Sequence, residues 1–257
     1  MTIALHLRSG RGFTLTELAV VIAIVGFLMA TAMYTLSAQT EQRDFEETRR
    51  RLEAARELLL GFAMVNGRLP CPANATGDEA PLGGGACTVS PNHNGFLPAR
   101  TLGFQIVDGN GFAIDPWRAR IRYAVSSAAL TGCTGTSTTP HFTNTANMKA
   151  NGITCQPNDL VICRSATGIT ATTCGAAAGN ALTNQITVVA VVYSVGRNNA
   201  VIGSGGIDEA ANINGDRVFV SHPQAPVGAT NGEFDDQMLW LTVGELYGKL
   251  IAAGALP

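Results

Sequence analysis

The longest apolar stretch of the chain lies near its N-terminus. From Leu18 to Thr40 no residue is charged, and a helix of this length would be roughly 35 Å long at about 1.5 Å per residue. The hydrocarbon core of a bilayer is about 30 Å thick, so the pattern predicts a single membrane span. Because Arg8 and Arg11 precede the span, the positive-inside rule places residues 1–12 in the cytoplasm and the large C-terminal part in the periplasm.

Helical periodicity continues beyond the apolar stretch. Leu52 and Leu59 lie seven residues apart within residues 41–66, which contain no Pro and carry charged residues on the other faces. We therefore expect one long helix. Residues 13–40 would form its membrane half, and residues 41–66 an amphipathic half whose apolar stripe is covered by a sheet. Gly67 ends the helical pattern.

The remaining residues, 67–257, have the pattern of a β domain. Alternation after Asp115-Pro116-Trp117 predicts a half-buried strand. Three later segments predict further strands, and the first of them, being the most apolar, should be central: residues 185–195, 216–221 and 236–242. Thr242 and Glu245 have the spacing of a capping box that opens a short C-terminal helix. Strands that follow a long helix without helical crossovers predict an α+β fold with an antiparallel sheet.

Three arginines share one face of the first predicted strand: Arg118, Arg120 and Arg122. Such a face could contact phosphate groups or an acidic partner. It could equally be a solvated face that discourages edge pairing, which is the interpretation we favour. The net charge of −2 argues against general nucleic-acid binding.

A compact motif opens the apolar stretch. Arg11-Gly12-Phe13-Thr14-Leu15-Thr16-Glu17 combines a basic leader, a Gly-Phe junction and one acid five residues after the Gly. An ordinary secretory signal is cleaved after its apolar segment, whereas the candidate cleavage site here precedes it. The arrangement resembles the signal of type IV prepilins and type II secretion pseudopilins.

The resemblance implies a pilin-like fold and a defined processing route. Residues 1–12 would be the prepilin leader, removed by prepilin peptidase after Gly12, and the new N-terminus at Phe13 would be N-methylated. Glu17 would pair with the α-amine of Phe13 in its own or a neighbouring subunit during assembly. An alternative is that Glu17 only favours the helix start through the helix dipole.

The function implied is that of a structural subunit, minor or non-standard, of a type IV pilus or a type II secretion pseudopilus. Its partners would be other pilin or pseudopilin subunits, prepilin peptidase and inner-membrane lipid, and it would move from the inner membrane into the filament. The alternative is a tethered adhesin or binding module. We do not expect an enzyme, because His93, His141 and His222 are scattered without a Ser or Cys motif near them.

All six cysteines lie beyond the apolar stretch, and an even number in an oxidising compartment predicts three disulfides. Sequence allows 15 pairings, and we favour sequence neighbours because each would close a loop poor in apolar residues: Cys71–Cys87, Cys133–Cys155 and Cys163–Cys174. Zinc is disfavoured, since no Cys-x-x-Cys spacing occurs. Four of these cysteines fall in residues 130–184, which are rich in Thr, Asn and Gly and predict a surface-exposed insertion.

One oxygen-rich segment could hold a metal. Its candidate ligands would lie on a loop, and hard oxygen ligands suit Ca²⁺: Asp208, Asn212, Asn214, Asp216 and Asp235, with Asp236 nearby. Such residues also form ordinary turns, and this is the reading we favour. Apart from possible Ca²⁺, we expect no cofactor.

Overall fold

The computed structural model describes residues 12, 14–80, 82–83, 86–87, 93–127, 133, 140–198 and 205–256, without the side chains of residues 31–38, 82, 83 and 86. The chain divides into two units, Met1–Phe45 and Glu46–Pro257.

The first element, α1, is a helix of 52 residues, Leu15–Asn66, and it confirms the prediction of one long helix. Thr14 caps its start, and Gly67 ends it with a φ of 65° and an amide that donates to the Ala63 carbonyl oxygen. Gly tolerates this left-handed conformation without steric cost, so the helix ends where the sequence indicates.

Among the described residues, no helix combines the length and the apolar character needed to cross a bilayer. The predicted span, Leu18–Thr40, includes residues 31–38, whose side chains lie outside the described part of the chain. The span therefore stays a prediction.

The main sheet is antiparallel, as predicted, and has four strands in the spatial order Gly95–Phe96, Arg122–Val125, Val188–Ser194 and Gln237–Thr242. Two short strands precede it and pair with each other, β1 (Leu82–Gly83) and β2 (Ala86–Cys87). The sheet itself is built from β3 (Gly95–Phe96), β4 (Arg122–Val125), β6 (Val188–Ser194) and β8 (Gln237–Thr242). The strand β6 is central and buried along its whole length, which confirms the reading of its apolar sequence.

A second sheet departs from the prediction. It contains β5 (Val161–Cys163) and β7 (Val218–Val220), which pair in parallel. A parallel pair requires a long crossover connection, and here the crossover passes through β6 and a helix, α4 (Ile207–Ile213). The strand predicted at residues 216–221 contains β7, but the parallel pairing of β7 with β5 was not predicted, because α4 occupies a segment that we interpreted as a loop.

The short helices complete the second unit. They are α2 (Ala99–Leu102), α3 (Thr145–Asn151), a 3₁₀ turn (Gly152–Thr154) and α5 (Val243–Ala252). Thr242 caps α5 by accepting the amide of Glu245 at 3.3 Å. The carboxylate of Glu245 pairs with Arg56 of α1, so α5 is fixed against the long helix.

Three hydrophobic clusters show how these elements stack. On one face of the main sheet, Val189 and Val192 of β6 pack with Leu52 and Leu59 of α1. On the other face, Val191 and Tyr193 pack with Ile162 and Phe219 of the second sheet. The far face of the second sheet buries a further group: Val161, Cys163, Val218, Val220 and Phe234. Both faces of β6 are therefore covered.

The predicted insertion, residues 130–184, is not confined to the surface. Phe142 and Met148 are buried in the cluster with α1, and β5 is buried on both faces. The prediction of a surface-exposed insertion is wrong for these residues, because their apolar side chains fill space beside α1 and below the main sheet.

Candidate functional site

The start of α1 is held by a reciprocal hydrogen-bonded cap. The carboxylate of Glu17 accepts the Thr14 amide at 2.9 Å and the Thr14 hydroxyl at 2.8 Å, while the Glu17 amide donates to the Thr14 hydroxyl oxygen at 3.2 Å. This pattern is a capping box, with Thr14 as the cap and Glu17 three residues on. Gly12 precedes it, and Phe13 lies outside the described residues.

The cap gives Glu17 one role, at the start of α1. The carboxylate satisfies the free amide and hydroxyl of Thr14, which fits the helix-start alternative. It is also exposed, with the apolar side chains between Leu15 and Met29 exposed alongside it. Pairing of Glu17 with the Phe13 amine stays a prediction.

The structure contains three disulfides, and they join sequence neighbours: Cys71–Cys87, Cys133–Cys155 and Cys163–Cys174. Cys71 and Cys155 are fully buried, and Cys163 lies on β5 inside the second sheet. The bridges are therefore attached to the core of the domain as well as to its loops.

The three arginines of the β4 segment are separated rather than presented together. Arg120 pairs with Asp108 at 2.8 Å and lies over the Phe112 ring at 4.1 Å. Arg122 donates to the Asn94 side-chain oxygen at 2.8 Å, and Arg118 is exposed in a turn. Because two of the three are engaged within the fold, they do not form a common anion-binding face.

The residues predicted to hold Ca²⁺ do not converge on one point. Asp208 accepts the amide of Ala166 and contacts the His222 ring at 3.1 Å. Asn214 and Asp216 bond to each other in an exposed turn. The physical reason is α4, which begins at Ile207 and directs side chains of this segment in different directions.

Of the remaining two predicted ligands, Asp235 belongs to a different group and Asn212 borders that group. Glu209, Asp235 and Asp236 place carboxylate oxygens within 4.8 Å of one another, and all three residues are buried. We call these three residues the carboxylate cluster. It is the only such group of three potential metal-ligating side chains in the part of the chain that the structure describes.

Neighbouring groups hold the carboxylate cluster in place. Glu209 accepts the Asp235 amide and the Asn198 side-chain amide, each at 2.7 Å. Asp235 accepts the Arg197 amide at 2.9 Å, and Asp236 accepts the Asn212 side-chain amide at 2.7 Å.

The environment of the carboxylate cluster disfavours negative charge. Burial raises the pKa of Glu209 to about 7 and also raises the pKa of Asp235. Burial raises the pKa of Asp236 well above its ordinary value, and the charges of Glu209 and Asp235 add to the effect. Three acids in so small a volume repel one another unless a proton or a cation compensates them.

Sequence reasoning missed Glu209 entirely and mentioned Asp236 only as a neighbour. The Asp235-Asp236 doublet before an apolar strand was a visible signal. Nothing in the sequence indicated that Glu209, and not Asp208, joins the carboxylate cluster, because the orientation of both side chains depends on where α4 begins.

The N-terminal segment also matches a known family model. Residues 7–33 match the model described as "Prokaryotic N-terminal methylation motif", and the match includes Gly12, Phe13 and Glu17. The chain carries a prepilin-type signal. No curated protein and no solved structure matches the chain.

The prepilin-type signal supports a pilin-like or pseudopilin-like substrate of prepilin peptidase. It implies assembly with other pilin subunits. It suggests a structural subunit, and it fits a pilin that is anchored in the inner membrane before it enters a pilus.

Proposed function

We propose that this protein is a minor or non-standard structural subunit of a type IV pilus or a type II secretion pseudopilus. The observation that carries the proposal is the match of residues 7–33 to the methylation motif. The chain is held in the inner membrane with residues 67–257 in the periplasm, cleaved between Gly12 and Phe13, and N-methylated at Phe13.

The first unit supplies the surface on which assembly would depend. Large apolar side chains of α1 are exposed: Leu18 is 56% exposed and Phe27 is 71% exposed. A contiguous apolar surface of this kind requires lipid or another protein to cover it. Cleavage before the helix leaves this surface on the mature subunit, which can then pass from lipid to the helices of neighbouring subunits.

The second unit supports a role in a subunit rather than in catalysis. It covers the apolar stripe of α1 with the main sheet, and three disulfides brace it. The domain contains three disulfides and a second sheet in addition to the main sheet. These additions favour a specialised position in the filament over the role of its major subunit.

Replacement of the residue before the cleavage site tests the proposal. Gly12→Val puts a branched side chain at the scissile junction, so the leader should remain, and mass spectrometry should find unprocessed chain in the membrane fraction. The matched control is Gly10→Val, the same change two residues earlier in the leader, which should leave cleavage intact.

The wild-type and Gly10→Val chains should both begin at methylated Phe13. An unprocessed wild-type N-terminus in a cell with active prepilin peptidase would contradict the proposal. Processing of Gly12→Val at the normal rate would show that cleavage occurs elsewhere.

A further inference from the structure

The carboxylate cluster, formed by Glu209, Asp235 and Asp236, has unsatisfied oxygen atoms. The Oδ1 atoms of Asp235 and Asp236 are buried without a hydrogen-bond partner among the described residues, and these side chains belong to residues that are only 5% and 6% exposed. A buried carboxylate oxygen without a partner is costly, and native folds rarely leave one uncompensated. Two such oxygens in one group of three acids call for a compensating cation or a shared proton.

We propose that the carboxylate cluster binds a single Ca²⁺ ion. The oxygens of the three side chains lie within 4.8 Å of one another, which is about twice a Ca²⁺–oxygen distance of roughly 2.4 Å. One ion between them would reach all three after a small inward adjustment of the side chains. It would supply the positive charge that the carboxylate cluster lacks.

The donor set selects among metals. All three ligands are carboxylate oxygens, which suit hard cations and not the copper or zinc that sulfur and nitrogen ligands favour. Backbone and side-chain amides already orient each carboxylate, so the arrangement is fixed by the fold. Ca²⁺ accepts such irregular geometry, whereas Mg²⁺ demands near-octahedral ligands and keeps most of its water.

Two glycines allow the backbone to approach the carboxylate cluster closely. A Cβ atom at Gly196, which has a φ of 67°, would lie 1.8 Å from Asp235 Oδ1, and one at Gly205 would lie 1.6 Å from Glu209 Oε2. Any other residue at these positions would displace the carboxylates. The backbone of Gly196 therefore lies directly against Asp235, and that of Gly205 against Glu209.

The ion would link two segments of the second unit. Glu209 lies on α4, while Asp235 and Asp236 directly precede β8. Bound Ca²⁺ would thus fasten α4 to the start of β8, and it would stabilise the folded domain by mass action.

Calcium binding to the full chain, purified in detergent, tests the proposal. Equilibrium dialysis with ⁴⁵Ca²⁺ should find one ion per chain, and 1 mM Ca²⁺ should raise the melting temperature by several degrees relative to chelator. The same concentration of Mg²⁺ should raise it much less. Because the carboxylate cluster is remote in sequence from the leader, a Gly12→Val chain should give the same result whatever the outcome for processing.

Amide substitutions locate the site. Asp236→Asn keeps an oxygen for the Asn212 amide and removes one charge, so it should weaken Ca²⁺ binding at least tenfold, and Glu209→Gln should do the same. The matched control is Asp216→Asn, an acid in the exposed turn, which should bind as the wild type does.

Several outcomes would overturn the proposal. A wild-type chain that binds no Ca²⁺ at 1 mM, with identical melting curves in calcium and chelator, would mean that a shared proton compensates the acids. Equal stabilisation by Mg²⁺ would overturn the choice of calcium. Wild-type binding in both amide variants would place the ion elsewhere, and if either variant fails to fold, the wild-type dialysis still decides.

Discussion

At the scale of single residues, Arg118 has the most unusual backbone. Its φ is 68°, the only positive φ of a non-glycine residue in the described part of the chain. The turn is closed by hydrogen bonds between Arg118 N and the Asp115 oxygen at 3.1 Å, and between Asp115 N and the Ala119 oxygen at 2.9 Å. The left-handed conformation costs a non-glycine residue about 1 kcal/mol or more.

Arg118→Gly should therefore stabilise the protein. Glycine adopts this φ without steric cost, and we expect a gain of about 1 kcal/mol, equal to roughly 2–4 °C in melting temperature for a domain of this size. The measurement is the thermal melt of the full chain in detergent. Arg118→Ala is the control, since it removes the charge but keeps Cβ; an equal gain from Arg118→Ala would assign the effect to charge.

His141 makes the stability of the protein depend on pH. Burial lowers the pKa of His141 to about 4. Its Nε2 lies 3.1 Å from the Tyr247 hydroxyl, which donates to the Cys155 carbonyl oxygen, and its Nδ1 is buried without a partner among the described residues. The neutral ring suits this setting, whereas a protonated ring would place an unsatisfied N–H in the core.

The direction of the pH dependence follows from the pKa of His141 in the unfolded chain and its pKa in the folded chain. In the unfolded chain His141 takes up a proton near pH 6.5, and in the folded chain only near pH 4, so stability is full above pH 6.5 and falls as the pH drops toward 4. The loss amounts to about 3 kcal/mol. His141→Gln keeps an amide donor for Tyr247 but does not titrate, so its melting temperature should fall less between pH 7 and 4.5. Parallel curves for both chains would contradict this role.

At the scale of elements, the Cys163–Cys174 disulfide ties a loop to the second sheet. Cys163 lies on β5, and its bridge to Cys174 closes a loop between the two cysteines. Asn180 also holds this loop by donating to the Cys174 carbonyl oxygen at 2.8 Å. Loop closure of this length is worth about 3 kcal/mol in the chain-entropy model.

A double change of Cys163 and Cys174 to Ala should lower the free energy of unfolding by about that amount. Limited proteolysis should then cut first between residues 164 and 173, because these residues would no longer be tied to β5. The control is the same pair of changes at Cys71 and Cys87, which should leave the 164–173 segment protected. First cleavage at the same site in both variants would show that the bridge does not act locally.

The sequence predicts elements well where the signal is local. Thr14, Glu17 and Gly67 mark both ends of α1 by their own chemistry, and the processing signal is one contiguous motif. The central position of β6 follows from its uninterrupted apolar sequence. Each of these features is decided within a few neighbouring residues.

The second sheet and the carboxylate cluster depend on tertiary structure instead. Three-residue strands such as β5 and β7 contain no information about the direction of pairing. Glu209 lies close to Asp235 only once α4 has formed and packed. Because we interpreted that segment as a loop, we did not predict this proximity. These features could not be derived from spacing, because residues that are distant in sequence create them.

At the scale of the whole molecule, the start of α1 raises a question about assembly. Glu17 caps the helix through Thr14, and the resemblance to prepilins implies that its charge also pairs with the Phe13 amine. The two roles use different properties of the side chain. The cap needs an oxygen acceptor, whereas pairing with an ammonium group needs a negative charge.

Three substitutions separate the two roles. Glu17→Gln keeps an acceptor for Thr14 but removes the charge, Glu17→Val removes both, and Thr14→Val removes the hydroxyl while Glu17 keeps its charge. All three chains should insert in the membrane and be processed. Both Glu17 variants should be depleted at least tenfold from sheared filaments, whereas Thr14→Val should be incorporated as the wild type is.

Immunoblots of the filament and membrane fractions measure this distribution, and mass spectrometry of the mature chains checks that processing is intact. If the Glu17→Gln chain enters filaments normally, the only role of Glu17 is to cap the helix. Loss of Thr14→Val together with the Glu17 variants would show that assembly requires the capped helix start. Because a subunit without the charge loses its attraction to the neighbouring amine but keeps its apolar helix, we expect it to accumulate in the membrane fraction.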